Sequence, residues 1–306
     1  MSEGNPLTAD ILRELLKQDS LPDEKLKKRS LTYKFSGIPG TENFDRFTEE
    51  AAEMFGCLIP PPDYWIYDFP GLKELPLRIA SRLRFVNAIG IELNGLESVS
   101  TELMRFLAGR SDFPELDGLK SLTLDHAKCI RDCGHLKLRF NGLRDLPGPV
   151  ARILSQKRFE LPLKLGGIER LSDEACRYLG RIRGSLEIPA VTELSDAAIR
   201  SLCKKKTGIL DLSGLKDLSY VGAEPLADFG SEIHLDGLEE LPDSIAALLG
   251  TRTQDMSLNG LRTISPESAK ALASHVGRLK LDGIESLSPE AARALRRHQR
   301  WFRIHS

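Results

Sequence analysis

The stretch LKLDGIESLSPEAARAL, residues 279–295, places apolar side chains at Leu279, Leu281, Ile284, Leu287 and Leu295, with Gly283 between the second and the third. Counted from Leu279 as offset 0, these fall at offsets 2, 5, 8 and 16, and the glycine at offset 4. The preceding stretch, MSLNGLRTISPESAKAL, residues 256–272, repeats the pattern at Met256, Leu258, Gly260, Leu261, Ile264 and Leu272. Alternation at offsets 0 and 2 belongs to a short strand, because side chains two apart share a face. Ser288-Pro289-Glu290 and Ser265-Pro266-Glu267 then offer a capping hydroxyl, a preset φ and an acid where the first N–H groups of a helix lack partners. A short helix is predicted after each.

Followed toward the N-terminus, the small residue at offset 4 is Gly237, Gly214, Ala190, Gly167, Gly142, Gly118, Gly95 and Gly71, each 23 to 25 residues from the next. Ser172-Asp173-Glu174 and Ser195-Asp196 repeat the helix start. Offset 13 is alanine in Ala80, Ala127, Ala151, Ala223, Ala246, Ala269 and Ala292, and Met104, Cys176 or Ile199 elsewhere, which marks an inward column where little more than a methyl fits. A looser copy begins at Tyr33, Phe35, Gly37 and Ile38. A repeat of this length cannot bury its own apolar face, so neighbours must stack, with strands forming a curved parallel sheet on one side and helices on the other. Asp and Asn at offset 3, such as Asp117, Asp236 and Asp282, are assigned to the turn, as is the glycine.

These residues resemble leucine-rich repeats, whose core reads L-x-L-x-x-N-x-L, with Leu279-x-Leu281 as the strand. The resemblance departs at the asparagine. Offset 5 here is Leu72, Leu96, Leu119, Leu143, Ile168, Val191, Leu215, Leu238, Leu261 and Ile284, so no asparagine ladder is expected. The L-x-L-x-x-L-x-x-I reading with a later alanine is more similar to the BspA-like bacterial subclass. The resemblance implies an α/β solenoid with a concave parallel sheet and short helices outside, acting as an interaction scaffold that carries no chemistry of its own.

Organisation follows from the register. Residues 1–30 form a cap and linker, with an amphipathic helix over Thr8 to Lys17; residues 31–64 hold the divergent first copy and an insertion; residues 65–300 hold ten tandem repeats; and residues 301–306 form a capping strand. Charge gives no polyelectrolyte signal, with 43 Lys and Arg against 44 Asp and Glu. The first thirty residues lack the charged start and apolar run of a secretory signal, and no membrane-length apolar run occurs. The odd cysteine count, Cys57, Cys129, Cys133, Cys176 and Cys203, fits a reducing compartment, so a cytoplasmic protein is expected. Export without a cleaved signal is the alternative.

No Gly-rich phosphate loop, H-E-x-x-H or G-x-S-x-G is present, which argues against an enzyme, and no cofactor is expected. The candidate binding surface is the outward strand position at offset 1: Asp68, Glu92, Glu115, Arg139, Lys164, Glu187, Asp211, His234, Ser257 and Lys280. Its first three members are acidic and expected to be screened by solvent. A second candidate is the insertion, where Pro61, Tyr64 and Trp65 interrupt the rhythm. A protein partner is expected at these surfaces. An alternative places metal at His126, Cys129, Cys133 and His135, whose residue types suit zinc although the spacing matches no standard finger. Another places nucleic acid at Arg293, Arg296, Arg297, Arg300 and Arg303 with Trp301, where the competing explanation is a cationic helix end followed by a capping strand.

Overall fold

The computed structural model describes residues 6–18, 33–36, 46–57, 65–68, 71–82, 90–109, 114–132, 138–156, 162–205 and 207–296. The chain divides into two units, Met1–Leu143 and Arg144–Ser306. Each is an α/β stack of strand-turn-helix coils, the leucine-rich-repeat architecture.

The first unit runs β1 (Pro6–Leu7), α1 (Ala9–Gln18), β2 (Tyr33–Ser36), β3 (Arg46–Phe47), α2 (Glu49–Cys57), β4 (Trp65–Asp68), α3 (Leu77–Arg82), β5 (Gly90–Glu92), α4 (Thr101–Ala108), α5 (Leu124–Asp132) and β6 (Leu138–Arg139). β2, β4 and β5 form a parallel sheet in matched register, Tyr33 opposite Trp65 and Asp68 opposite Glu92, and a bridge joins Glu92 to Glu115 of the following coil. Tyr33 and Phe35 therefore sit on a strand. After Ser36 the chain runs on to Arg46 before reaching its helix, so the extra residues of this coil lie ahead of α2 as well as behind it.

β1 pairs in parallel with β3, Leu7 opposite Phe47, at the point where each chain enters a helix. Both apolar side chains are buried, and the next residue caps: Thr8 Oγ1 accepts from Ile11 N at 3.3 Å and Thr48 Oγ1 from Ala51 N at 3.2 Å. From α1 to α5 each helix packs on the next. The N-terminal helix thus occupies a repeat position. The sequence held the signal, an apolar residue followed by threonine and acids in Leu7-Thr8-Ala9-Asp10 and Phe47-Thr48-Glu49-Glu50, but the interval between them breaks the period.

The second unit runs α6 (Gly148–Leu154), β7 (Leu163–Lys164), α7 (Asp173–Leu179), β8 (Leu186–Glu187), α8 (Asp196–Leu202), β9 (Leu210–Asp211), α9 (Tyr220–Ala227), β10 (Ile233–His234), α10 (Asp243–Leu249), β11 (Met256–Ser257), α11 (Pro266–Leu272), β12 (Leu279–Lys280) and α12 (Pro289–Arg296). Strands β7 to β12 follow one another in a parallel sheet, each register pairing offset 0 with offset 0. The offset-2 amide extends each pairing by one bond, as in Leu235 N to Ser257 O at 2.9 Å. Ser172, Ser195, Ser219 and Ser265 cap their helices through the side chain, whereas Pro147 and Pro242 stand at the starts of α6 and α10 without a side-chain bond.

The offset-13 column is buried from Ala80 to Ala269, including Met104, Cys176 and Ile199, and only Ala292 is half-buried. The offset-4 glycines sit in the turn, as expected, and have a second cause as well. A Cβ on Gly260 would lie 2.0 Å from Asp236 O, and one on Gly118 2.2 Å from Asn94 O, so the glycine lets neighbouring coils approach. Left-handed backbone is confined, among the described glycines, to Gly208 at φ 82°.

The offset-3 residues also do more than turn. Asn94 Oδ1 accepts from the backbone N of Asp117 at 2.9 Å, and Asp117 Oδ1 from that of Asn141 at 3.0 Å. In the second unit Asp236 Oδ1 accepts from Asn259 N at 2.7 Å, and Asn259 Oδ1 from Asp282 N at 2.9 Å. Each side chain satisfies an amide of the next coil, so ladder bonding exists here at offset 3, while offset 5 is filled by buried apolar residues such as Leu96, Leu119 and Leu261.

Candidate functional site

The strand-side row is set by register, because a two-residue strand fixes which side chain of each coil faces out. In the first unit, Asp68, Glu92 and Glu115 stand opposite one another, as the sequence predicts. They are not three solvated acids. Glu92 is only 7% exposed, with Asn94 Nδ2 donating to its Oε2 at 3.4 Å. Arg139 forms ion pairs with Glu115 at 3.1 Å and with Asp117 at 2.7 Å. A lysine at 92 would bury an ammonium where a carboxylate now accepts from Asn94, so the acidic row cannot be reversed there without cost to the fold.

In the second unit the row runs Lys164, Glu187, Asp211, His234, Ser257 and Lys280. Lys164 Nζ pairs with Glu187 Oε2 at 2.8 Å. His234 Nε2 lies 2.8 Å from Glu232 Oε1, and its Nδ1 lies 4.0 Å from Asp211 Oδ2. Ser257 is buried and donates to Asp236 Oδ1 at 2.5 Å, so it serves the offset-3 ladder. Lys280 is half-buried.

Trp65 opens β4, while Pro61 and Tyr64 lie outside the described residues. Of the proposed metal ligands, Cys133 and His135 also lie outside them. His126 is buried at the start of α5, where Thr123 N donates to its Nδ1 at 3.3 Å while His126 N donates to Thr123 Oγ1 at 3.1 Å. This reciprocal cap explains the histidine at its repeat position. Burial lowers its pKa below the ordinary value, with Asp125 acting in the opposite direction. Cys129 is half-buried beside an open cleft of about 380 Å³, also lined by Arg105, Asp125, Lys128 and Asp132. Among the described residues no cluster of three metal-ligating side chains occurs. Arg297, Arg300, Trp301 and Arg303 are outside the described residues; Arg293 and Arg296 close α12, and Arg293 pairs with Glu290 at 3.2 Å.

Sequence reading missed a column of buried polar side chains at offset 19, where Ile182 and Phe229 are apolar but Lys205, Arg252 and His275 are not. Arg252 is 1% exposed and turns back to the preceding coil, donating to Phe229 O at 3.0 Å, Ser231 O at 2.7 Å and Leu226 O. These are carbonyls at and just after the end of α9, the kind a helix terminus leaves without partners. Burial lowers the Arg252 pKa to about 10, the nearby Cys203 opposing it, and the same burial pushes the Cys203 thiol up to about 12. Lys205 donates to Thr207 O and Gly208 O of its own coil, and burial brings its pKa down to about 8. The available signal was weak, a column in which apolar Ile182 and Phe229 alternate with Lys205, Arg252 and His275. Cys176, in the inward column, is fully buried as a packing residue, and that burial likewise pushes its thiol up to about 12, with Asp173 adding to it.

Exposed charge is compensated elsewhere from coil to coil. At offset 6, Lys73 faces Glu97 at 3.9 Å, and in the second unit Arg144 faces Glu169, Lys216 faces Glu239 and Arg262 faces Glu285 at 3.4 to 3.7 Å. Exposed pairs of this kind contribute little to stability. Among the described residues no helix is long and apolar enough to cross a membrane.

No family model and no curated protein matches the chain. Among solved structures it is similar to a chain of the Toll–Spätzle complex from Drosophila, at 12% identity and a TM-score of 0.36 over 73% of this chain. It spans 42% of that chain's length. It is also similar to an internalin from Listeria monocytogenes, at 14% identity and a TM-score of 0.33 over 92% of this chain and 94% of that one. A leucine-rich-repeat protein from Leptospira interrogans is similar at 15% identity and a TM-score of 0.26, covering 83% and 97% of the two chains.

Proposed function

We propose that this chain is a non-catalytic interaction scaffold that holds a protein partner on its strand side. The observation that carries the reading is the offset-1 row of the second unit, where consecutive coils in one-to-one register present Lys164, Glu187, Asp211, His234 and Lys280 along one line. Its charge changes sign along the line, which suits a partner that docks in a single direction. Nucleic acid, uniformly negative, does not fit such a row. The first-unit row, Asp68, Glu92, Glu115 and Arg139, and the insertion residues Pro61, Tyr64 and Trp65 belong to the same proposal.

The repeats are read as closest to the BspA-like bacterial subclass, on the strength of apolar offset 5 and the alanine at offset 13. A cytoplasmic bacterial protein without cofactor is the corresponding assignment. His126 bonded to Thr123 gives no support to the metal alternative.

The test is a photo-crosslinking residue introduced at Lys280 or Glu187, with matched controls at Lys270 and Glu239. In the native cell the strand-side positions should capture one protein that the controls do not. Equal capture at all four positions places recognition elsewhere and sinks the strand-side assignment.

A further inference from the structure

The strongest uncompensated charge in the second unit lies on the helices, away from the strand row. Offset 14 carries Arg152 in α6, Arg177 in α7 and Arg200 in α8, all exposed. Offset 18 adds Arg181 and Lys204, also exposed, on the coils of α7 and α8. None of the five is ion-paired among the described residues. Consecutive helices stack, so the charges stand side by side.

A basic residue in a last helical turn is favoured by the dipole, and that accounts for the sign of one such residue. It does not account for the missing partners. At the same offset, Lys270 in α11 pairs with Glu267 and Arg293 in α12 with Glu290, each three residues earlier. In α6 and α8 that earlier position is Pro149 and Ala197. In α7 it is Glu174, whose carboxylate lies against Gly148 of α6, where a Cβ would come within 2.3 Å of Oε2. The offset-6 column alternates sign to form pairs, whereas this one repeats it across three coils.

The cations are mostly arginine, whose planar fork suits carboxylate or phosphate, and the Arg181 guanidinium sits 5.1 Å from the centre of the Tyr178 ring, which limits its freedom. The next helix decides between these anions. On α9 the same two columns become Glu224 and Asp228, both exposed. A nucleic acid continuing along the helices would meet repulsion there, whereas a polypeptide can match the change with basic residues of its own.

We propose that the α6–α8 helix face is a second docking surface, binding an acidic segment of a protein partner whose following residues are basic. With helices roughly 10 Å apart, the patch is about 20 Å across, a span that about six extended residues cover. The surface is independent of the strand row, and its failure would leave that reading in place.

The test uses the full chain and two fluorescein-labelled probes, a peptide of about eight glutamates and a thymidine oligonucleotide of about twelve residues, titrated at low salt by anisotropy. The peptide should bind, more tightly than the oligonucleotide. Arg177→Glu with Arg200→Glu should weaken it by about tenfold. Lys216→Glu with Arg262→Glu makes the same change in net charge on exposed residues outside the patch and should leave it within about twofold. Melting curves identify any pair that fails to fold; the milder Arg177→Gln with Arg200→Gln should then show about a threefold loss. Absence of peptide binding, equal losses in patch and control variants, or tighter binding of the oligonucleotide would each overturn the proposal.

Discussion

Two halves of the second unit solve the same problem differently. In the coils that begin at Ile233, Met256 and Leu279, bonds run between coils: Asp236 to Asn259 to Asp282 at offset 3, and Arg252 back to carbonyls of the α9 coil. In the coils that begin at Leu163, Leu186 and Leu210, offset 3 is Gly166, Pro189 and Ser213. Gly166 has no side chain, Pro189 has no N–H, and Ser213 bonds within its own coil to Asp211 at 2.9 and 2.5 Å. Lys205, the counterpart of Arg252, also bonds within its own coil. Other cross-coil links remain there: Thr207 Oγ1 donates to Arg183 O and Ile209 N to Ser185 Oγ at 3.1 Å ahead of the strands, and on the helix side Ser195 Oγ donates to Asp173 at 2.6 Å and Ser219 Oγ to Asp196 at 2.5 Å, a link that Ser265 and Asp243 repeat in the later coils. Register and apolar packing are common to both halves, so the polar links are the variable. At offsets 3 and 19 they tie the later coils to their neighbours, whereas the same two positions of the earlier coils bond within their own coil or carry no side-chain link.

The largest way to break that contrast is Arg252→Leu. It removes donors from two buried carbonyls and one part-buried one, each buried one worth about 1 kcal/mol or more when left unsatisfied, against which the variant recovers the desolvation of the guanidinium. We expect a net loss of about 2–4 kcal/mol in urea unfolding, with accelerated hydrogen exchange in α9 and α10. An unchanged midpoint would mean that the buried arginine is only tolerated.

Lys205→Met should act in the opposite direction. The folded pKa of Lys205, about 8, lies below its ordinary 10.5, so the fold disfavours the cation. Below pH 8 both states are protonated and the penalty is fully present; from about 8 to 10.5 the folded state sheds its proton first, and stability rises with pH. Methionine removes the penalty but also two hydrogen bonds, so a gain of about 1–2 kcal/mol is expected at pH 7, falling as the pH rises above about 8 and turning into a loss by about 10.5, where the penalty is gone and the bonds are still missing. A gain that is constant with pH would assign the effect to packing alone.

The period, the strands and the serine caps were legible because each rests on a residue type that does one thing in a repeat: leucine alternating with polar residues, and serine before an acidic or proline-led turn. Offset 3 was not, because aspartate and asparagine satisfy a local turn and a neighbouring amide equally well on paper. Only the approach of the next coil, permitted by Gly118 or Gly260, decides for the neighbour. The burial of the polar side chains at offset 19 was hidden by the mixture of Ile182 and Phe229 with them in the same column, and the pairing of Leu7 with Phe47 by the broken period. In the candidate site, the order of Asp68, Glu92 and Glu115 was readable, but the withdrawal of Glu92 from solvent was not, since it depends on how closely neighbouring coils cover one another.

The smallest effect sharpens the comparison most, because it changes one offset in each half. Asn259→Ala removes the acceptor for Asp282 N, while the Asn259 backbone N–H still reaches Asp236. Asp282 is exposed, so water can replace the lost bond and the cost should be only about 1 kcal/mol. Ser213→Ala removes a hydroxyl that serves only Asp211 of the same coil, and leaves the Ser213 backbone bond intact, so less than about 0.5 kcal/mol is expected. The two differ more clearly in where exchange quickens than in how much stability is lost. Asn259→Ala should quicken exchange in β12 and α12, the coil beyond the broken link, because stability in a stacked array passes between neighbours. Ser213→Ala should quicken no neighbour. If both variants lose the same stability and neither changes exchange in an adjacent coil, the offset-3 bonds follow from the stacking and do not help to hold it, and the distinction between the two halves has no energetic content.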